Sequence, residues 1–196
     1  HIRGLSAGGT LHADDSFKVE IRAFGGTQVY DQTFSAVNAT RTTENLIRKQ
    51  RVPSQNIGGS VVLSGSLGNH SLVGGIDLRQ VRGSSDEIAF TNNVATSKSG
   101  SGGQDNGFGI FFRDAIKVSD KFVVVGGARI DHWRNTNGRV SSIALSTNNT
   151  TVSTFLDRSE TAFSPQIAVL FTINDSVSVY ASGSSSFRSP TLNELY

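Results

Sequence analysis

Apolar and polar residues alternate with period two along much of this chain, and that rhythm limits what it can fold into more than any other feature. In an extended strand successive side chains point to opposite faces, so each alternating run has one dry face and one wet face. From Ser16 to Phe24, Phe17, Val19, Ile21 and Ala23 alternate with Lys18, Glu20 and Arg22. A weaker run, Leu5, Ala7 and Leu11 against Ser6, Thr10 and His12, precedes it. Gly59, Val61, Leu63 and Leu67 oppose Ser60, Ser64 and Ser66, and Leu72, Gly74, Ile76 and Leu78 oppose Asp77 and Arg79. Phe108, Ile110 and Phe112 face away from Arg113. Phe122, Val124, Ala128 and Ile130 face away from Arg129 and Asp131, with Val123 and Val125 interrupting the polar side. Phe163, Ile167, Val169 and Phe171 oppose Ser164, Gln166 and Thr172, and Val177, Val179 and Ala181 oppose Ser178 and Ser182. About eight strands follow, each near the length that crosses a bilayer when tilted, with no convincing helical window.

The connections predict how these strands are joined. Short turn-forming links at 13–15, 68–70, 119–120 and 174–175 alternate with long polar stretches at 25–56, 83–106 and 134–160. Tight turns on one side and large loops on the other are the rhythm of an up-and-down antiparallel barrel. A soluble sandwich rarely carries three such loops. Within the second loop, residues 97–103 (Ser-Lys-Ser-Gly-Ser-Gly-Gly) read as a flexible tip.

Composition narrows the function. Without cysteine there are no disulfides, thiolate metal sites or cysteine nucleophiles. The formal charge of +2 comes from scattered residues, so a nucleic-acid footprint is absent. His1, His12, His70 and His132 lack metal-ligand spacing, Asp131 and His132 point to opposite faces, and no serine sits in a nucleophile elbow. No catalytic residue, metal site or cofactor is expected. No run of apolar residues is long enough for a transmembrane helix, a statement that leaves barrels untouched. In a membrane barrel the apolar face meets lipid and the polar face lines the lumen. Small residues on the apolar side, Gly59, Gly74, Gly126 and Ala181, would leave gaps in a close-packed core but cost little against fluid lipid. Aromatics near the strand ends, Phe17, Phe122 and Phe171 at one side and Phe24, Trp133 and Phe163 at the other, predict two interfacial girdles.

The last segment, Tyr180-Ala181-Ser182-Gly183 and then Phe187-Arg188-Ser189-Pro190-Thr191-Leu192-Asn193-Glu194-Leu195-Tyr196, resembles the barrel motif of TonB-dependent receptors. Ser189 stands where the family commonly has Ala. Gly107 to Asp114 followed by Gly126 to Asp131 is similar to a pair of family strands reading roughly Phe-x-Gln-Asp and Gly-x-Arg-x-Asp, with Arg113 in place of Gln. Phe163-Ser164-Pro165-Gln166 resembles the family's Ser-Pro-Arg strand opening. The resemblance implies that residues 1–196 are part of a 22-stranded outer-membrane barrel closed by an amino-terminal plug that this chain lacks. About eight strands of so wide a barrel form an open, curved sheet in isolation. The chain starts at His1 without a signal peptide and stops as the motif unfolds, so both ends are expected to be cuts.

The implied activity is import of a scarce nutrient, a ferric siderophore by default, across the Gram-negative outer membrane. The implied partners are TonB, reached through the missing plug, the small-molecule ligand and outer-membrane lipid. Phe187, Arg188, Pro190, Glu194, Leu195 and Tyr196 are expected to shape the barrel rim, Pro190 ending strand pairing because it has no N–H to donate. Candidate ligand contacts in the predicted loops are Tyr30, Phe34, Arg41, Arg48, Lys49, Arg51, Trp133 and Arg134, since cations suit an anionic ferric chelate and aromatics suit stacking. Two alternatives stand beside this reading: a barrel or pore that does not import, and a secreted soluble β-rich adhesin.

Overall fold

A computed structural model of the chain describes residues 1–13 and 16–195. The alternating runs become the strands β1 (Ile2–His12), β2 (Phe17–Val37), β3 (Glu44–Leu67), β4 (His70–Thr91), β5 (Val94–Ser119), β6 (Phe122–Ala144), β7 (Asn149–Thr154), β8 (Arg158–Asn174) and β9 (Val177–Ser184). A single helical turn, α1 (Leu192–Leu195), ends the described chain. All strands join one antiparallel sheet in the order β1-β2-β3-β4-β5-β6-β8-β9, while β7 pairs with the distal part of β6. Eight strands therefore follow one another along the sheet as the alternation predicts, and its two ends do not pair with each other.

Register sorts the side chains. One row of partners runs Ile21, Val61, Ile76, Ile110, Ile130, Phe163 across β2 to β8, and the next runs Arg22, Ser60, Asp77, Gly109, Asp131, Ala162. The first is one face and the second the other, so a one-residue slip anywhere would mix them. Neither face packs into a protein core. Among the described residues the only buried apolar side chain is Trp133, whereas Ile110, Ile130 and Phe163 on the apolar face are 45%, 45% and 62% exposed. Such a sheet needs an apolar solvent on that face.

The apolar face is a band. It covers residues 17–25 of β2, 57–67 of β3, 122–130 of β6 and 163–171 of β8, matching the roughly 9–11 residues that span a bilayer when tilted. The strands themselves are much longer: β3 has 24 residues and β5 has 26. This corrects the long polar loops expected at 25–56, 83–106 and 134–160. Most of those residues continue the strands, and the turns shrink to 38–43, 92–93 and 145–148, with a further link at 155–157. Asn92 and Asn93 both have positive φ, 51° and 63°, as a two-residue hairpin turn requires. The presumed flexible tip, residues 97–103, lies inside β5, with partners on both sides for 97–102 and on β4 alone for Gly103. Polar Ser, Asn and Gly carry little strand preference of their own, and here the neighbouring ladders supply it.

The short links are turns at 68–69, 120–121 and 175–176, while two residues of the link at 13–15 fall outside the described residues. The aromatic girdles are only partly formed. Phe122 and Phe171 meet edge to face on the apolar side, ring centroids 6.5 Å apart, at the short-turn end. Phe24 and Trp133 point to the polar face instead, because each sits an even number of residues from a polar-face neighbour, Arg22 and Asp131. Replacing Ile110 by Arg at the middle of the band is expected to cost about 2–4 kcal/mol in folding into phospholipid vesicles. A cost within ~0.5 kcal/mol, the usual range for a water-exposed surface, would mean that this face does not meet lipid.

Candidate functional site on the polar face

The strongest cluster on the polar face sits within the band. Arg129 on β6 reaches across β5 to Asp77 on β4, Nη1 donating to Oδ2 at 2.7 Å and Nη2 to Oδ1 at 3.0 Å. Its Nε donates to both oxygens of Asp131 at 2.8 and 2.9 Å. The reach is possible because β5 offers Gly109 between the two aspartates, where any Cβ would fall on the guanidinium. Arg129 also lies 5.8 Å from the Phe111 ring centroid, an arrangement that favours a cation. A forked cation between two carboxylates ties three strands together and keeps charge on the side away from the apolar band.

At the distal end the same face gathers Tyr30 and Phe34 of β2 with Arg48 of β3. The Arg48 guanidinium lies 5.6 Å from the Phe34 ring centroid and its Nη1 is 3.5 Å from Glu87 Oε2. Gln50 Nε2 donates to Glu87 Oε1 at 2.7 Å and to Ser85 Oγ at 2.9 Å, extending the cluster to β4. The other predicted contacts are elsewhere. Lys49, Arg51 and Arg134 project from the opposite face, where Arg51 pairs with Asp31 at 3.2 Å and Arg134 with Asp157 at 2.9 Å. Arg41 sits in the 38–43 turn with φ of 57°. Trp133 is only 5% exposed, within β6 rather than in a loop. Sequence reasoning placed Arg129 and Asp131 on the polar face without pairing them with Asp77, because that pairing depends on the register of β4, β5 and β6.

The terminal motif folds back over the polar face. After β9, Ser185 N–H donates to Pro165 O, and the chain crosses to β4 and β5. Arg188, Pro190 and Leu192 there line a cavity of about 440 Å³ with Arg79, Gly83 and Asp105. Gly83 leaves room for Leu192, whose Cδ1 would lie 3.4 Å from a Cβ at that position. Arg188 grips Glu194 with Nη2 to Oε1 at 2.8 Å and Nη1 to Oε2 at 3.3 Å. Glu194 Oε2 also accepts from Thr191 N–H at 2.7 Å and from its hydroxyl at 3.1 Å, the carboxylate half of a capping box, while Glu194 N–H donates to Thr191 O at the start of α1. Tyr196 lies outside the described residues.

Two tests follow from this geometry. Removing the cation with Arg129→Met should destabilise the sheet by roughly 1–2 kcal/mol, allowing for a partly solvated site. Pairing it with Asp77→Asn should recover part of that loss, read from urea midpoints; purely additive losses would mean that the contact contributes no coupling. The second concerns acid. The Arg188 guanidinium, with the Thr191 N–H and hydroxyl, holds the Glu194 carboxyl down to about 2 from its ordinary 4.5. The lowered value means the latch contributes fully above pH 4.5 and is lost as pH falls through about 2. Hydrogen exchange of residues 185–195 should stay slow at pH 4 and speed up near pH 2, while Glu194→Gln should exchange fast throughout. Equal exchange of the two proteins at pH 4 would rule the latch out.

The family described as TonB dependent receptor-like, beta-barrel, matches residues 2–196. No curated protein matches the chain. Among solved structures, the ferric yersiniabactin uptake receptor FyuA from Yersinia pestis is 15% identical with a TM-score of 0.68, over 91% of this chain and 27% of that one. The copper transporter OprC is 15% identical with a TM-score of 0.69, over 92% and 29%. FpvA of P. aeruginosa, solved bound to heterologous pyoverdines, is 15% identical with a TM-score of 0.69, over 92% and 26%. These likenesses are of fold, and the chain spans under a third of each structure's length. With the family matched over nearly its whole length, the up-and-down sheet, apolar band and Arg188–Glu194 motif have one explanation: the chain belongs to the β-barrel domain of the TonB-dependent receptors.

Proposed function

We propose that this chain is part of the barrel wall of an outer-membrane receptor that captures a scarce nutrient, a ferric siderophore, and imports it with energy relayed by TonB. The observation that carries the reading is the division of each long strand into an apolar band of bilayer-crossing length and a polar extension beyond it. That division suits a wall anchored in lipid that holds polar side chains clear of the membrane. The receptors for ferric yersiniabactin and pyoverdines among the structural neighbours favour iron chelates.

In this reading Tyr30, Phe34 and Arg48 contact the ligand. They share the polar face at the distal end, where the aromatics offer flat surfaces and the guanidinium a forked donor for an anionic chelate. Arg41 joins them from its turn. Phe187, Arg188, Pro190, Glu194 and Leu195 shape the wall beside them, and the work is transport rather than catalysis. The natural full-length polypeptide should restore growth on ferric siderophores to an iron-starved Gram-negative host stripped of its own receptors. It should fail to do so in the same host without TonB. Phe34→Ala with Arg48→Ala should weaken binding of the transported chelate about tenfold, or ~1.4 kcal/mol. Iron accumulation independent of TonB, or none with catecholate, hydroxamate or carboxylate chelates, would overturn the assignment.

A further inference from the structure

Where glycine follows asparagine, the glycine nitrogen can attack the asparagine side chain with little hindrance, because glycine has no Cβ and turns freely about its backbone bonds. The chain holds two such pairs, Asn106-Gly107 and Asn137-Gly138. The sheet treats them differently. Asn106 lies opposite Gln80 on β4 and Arg134 on β6, and Gly107 lies opposite Arg79 and Trp133, so both residues are paired on both sides. The Asn106 carboxamide is held as well, its Oδ1 accepting from Gln80 Nε2 and from Gln104 Nε2 at 2.9 Å each.

Asn137 and Gly138 fall in a bulge. Gln104 is opposite Thr136 and Gly102 is opposite Arg139, which leaves Asn137 and Gly138 of β6 against Gly103 alone. On its other side β6 changes neighbour at this point, from β8 as far as Asn135 to β7 from Arg139 onward. Neither residue therefore has a partner residue on an adjoining strand. Asn137 takes the left-handed conformation, φ 58°, which asparagine tolerates better than most side chains. It is exposed, and its carboxamide holds no hydrogen bond among the described residues. Gly138 O accepts from Phe155 N–H at 2.8 Å, a bond beyond the glycine and away from its nitrogen. The pair stands roughly 20 Å along β6 from Ile130, the end of the apolar band, and so in water. Turning the Asn137 backbone leaves the pairing of β6 with its neighbours in place, whereas turning Asn106 requires β5 to open from β4 and β6.

We propose that Asn137 is a site of self-modification, at which the folded protein deamidates through attack by the Gly138 nitrogen while Asn106 is protected by its ladders. The Gly138 nitrogen gives its proton to solvent base and bonds to Asn137 Cγ. The Cγ–Nδ2 bond breaks, and the amide nitrogen leaves as ammonia with a proton from water. A second water then opens the cyclic imide, either at Cγ to give aspartate or at the Asn137 main-chain carbonyl to give isoaspartate. Nothing is oxidised or reduced, and each event adds one carboxylate. Isoaspartate lengthens the main chain by a carbon, which would shift the register of a ladder, but the bulge has no pairing to shift. The new carboxylate shares a groove of about 690 Å³ with Arg82 and Arg139. Neither arginine has a carboxylate within ion-pair distance among the described residues, so the product's charge forms where cations are in surplus.

The full-length protein would be inserted into phosphatidylcholine vesicles, kept in mildly alkaline buffer, and both Asn-Gly peptides followed by mass spectrometry, with isoaspartate counted by enzymatic methylation. In the inserted protein Asn137 is expected to deamidate at least about tenfold faster than Asn106. After unfolding in urea the two should react at similar rates, since the dipeptide is the same and the ladders are gone. Gly138→Ala should slow Asn137 severalfold, a change readable in urea whether or not that variant folds, and leave Asn106 as it was. Deamidated chains should float with the vesicles in the same proportion as intact ones. Equal rates in the inserted protein, or faster loss at Asn106, overturn the proposal. So does an Asn137 that reacts only in urea, or a rate there that Gly138→Ala does not change. Depletion of deamidated chains from the floated fraction would assign the reaction to unfolded protein and overturn it as well.

Discussion

In an apolar surrounding every backbone N–H and C=O must find its partner in the protein, and this sheet meets that demand through ladders between neighbouring strands. Everything else depends on the register those ladders fix. Once Ile76 opposes Ile110 and Ile110 opposes Ile130, Asp77, Gly109 and Asp131 must share the other side. The charged network around Arg129 is then a consequence of pairing as much as a cause of it. Gly109 is where backbone and side-chain requirements meet, since a side chain there would push the guanidinium off both carboxylates. On the apolar face, by contrast, a Cβ at Gly126 would meet nothing within 4 Å.

The ladders continue where the apolar requirement ends. Beyond the band the same strands run on with Ser, Gly, Asn, Thr and Gln on both faces, and irregularities enter at Phe34/Ser35, Ala89/Phe90 and Gly102/Gln104. A bulge bends and twists a strand, so the distal wall is shaped by three interruptions that the band avoids on these strands. Freed from having to be apolar on one side, this region can carry cations and aromatics on either face. Phe34 with Arg48 and Arg82 with Arg139 thus sit on opposite sides of one thin wall.

The band was legible almost residue by residue, because lipid on one side and polar groups on the other enforce an alternation that is strict from Phe17 to Ala23 and looser from Phe163 to Phe171, where Ala168 and Leu170 take polar-face positions. The extensions were not, since Ser97 to Gly103 shows no alternation and owes its strand state to Asp86, Ser141 and their neighbours, placed beside it by pairing. Parity already placed Trp133 on the polar face, two residues from Asp131; proximity to a supposed loop suggested a girdle instead. Arg188 and Glu194 could be paired from the motif because six residues separate them, whereas Arg129 and Asp77 are 52 apart and meet only through the register of three strands.

The return of the terminal motif over the polar face follows from the same logic. Gly83 belongs to a stretch whose lack of alternation concealed its strand, yet the absent side chain gives Leu192 its seat. The Thr191 N–H and hydroxyl bonds to the Glu194 carboxylate and the Arg188 fork hold the turn compact enough to fit there. The chain leaves the sheet after Ser184, ahead of Pro190, so strand pairing ends without the proline that the sequence suggested as its terminator, and the energy shifts from backbone pairing to side-chain contacts. The motif and the distal extensions are therefore mutually dependent: β4 and β5 must run past the band to present Gly83 and Asp105, and the motif must leave the sheet to cover them.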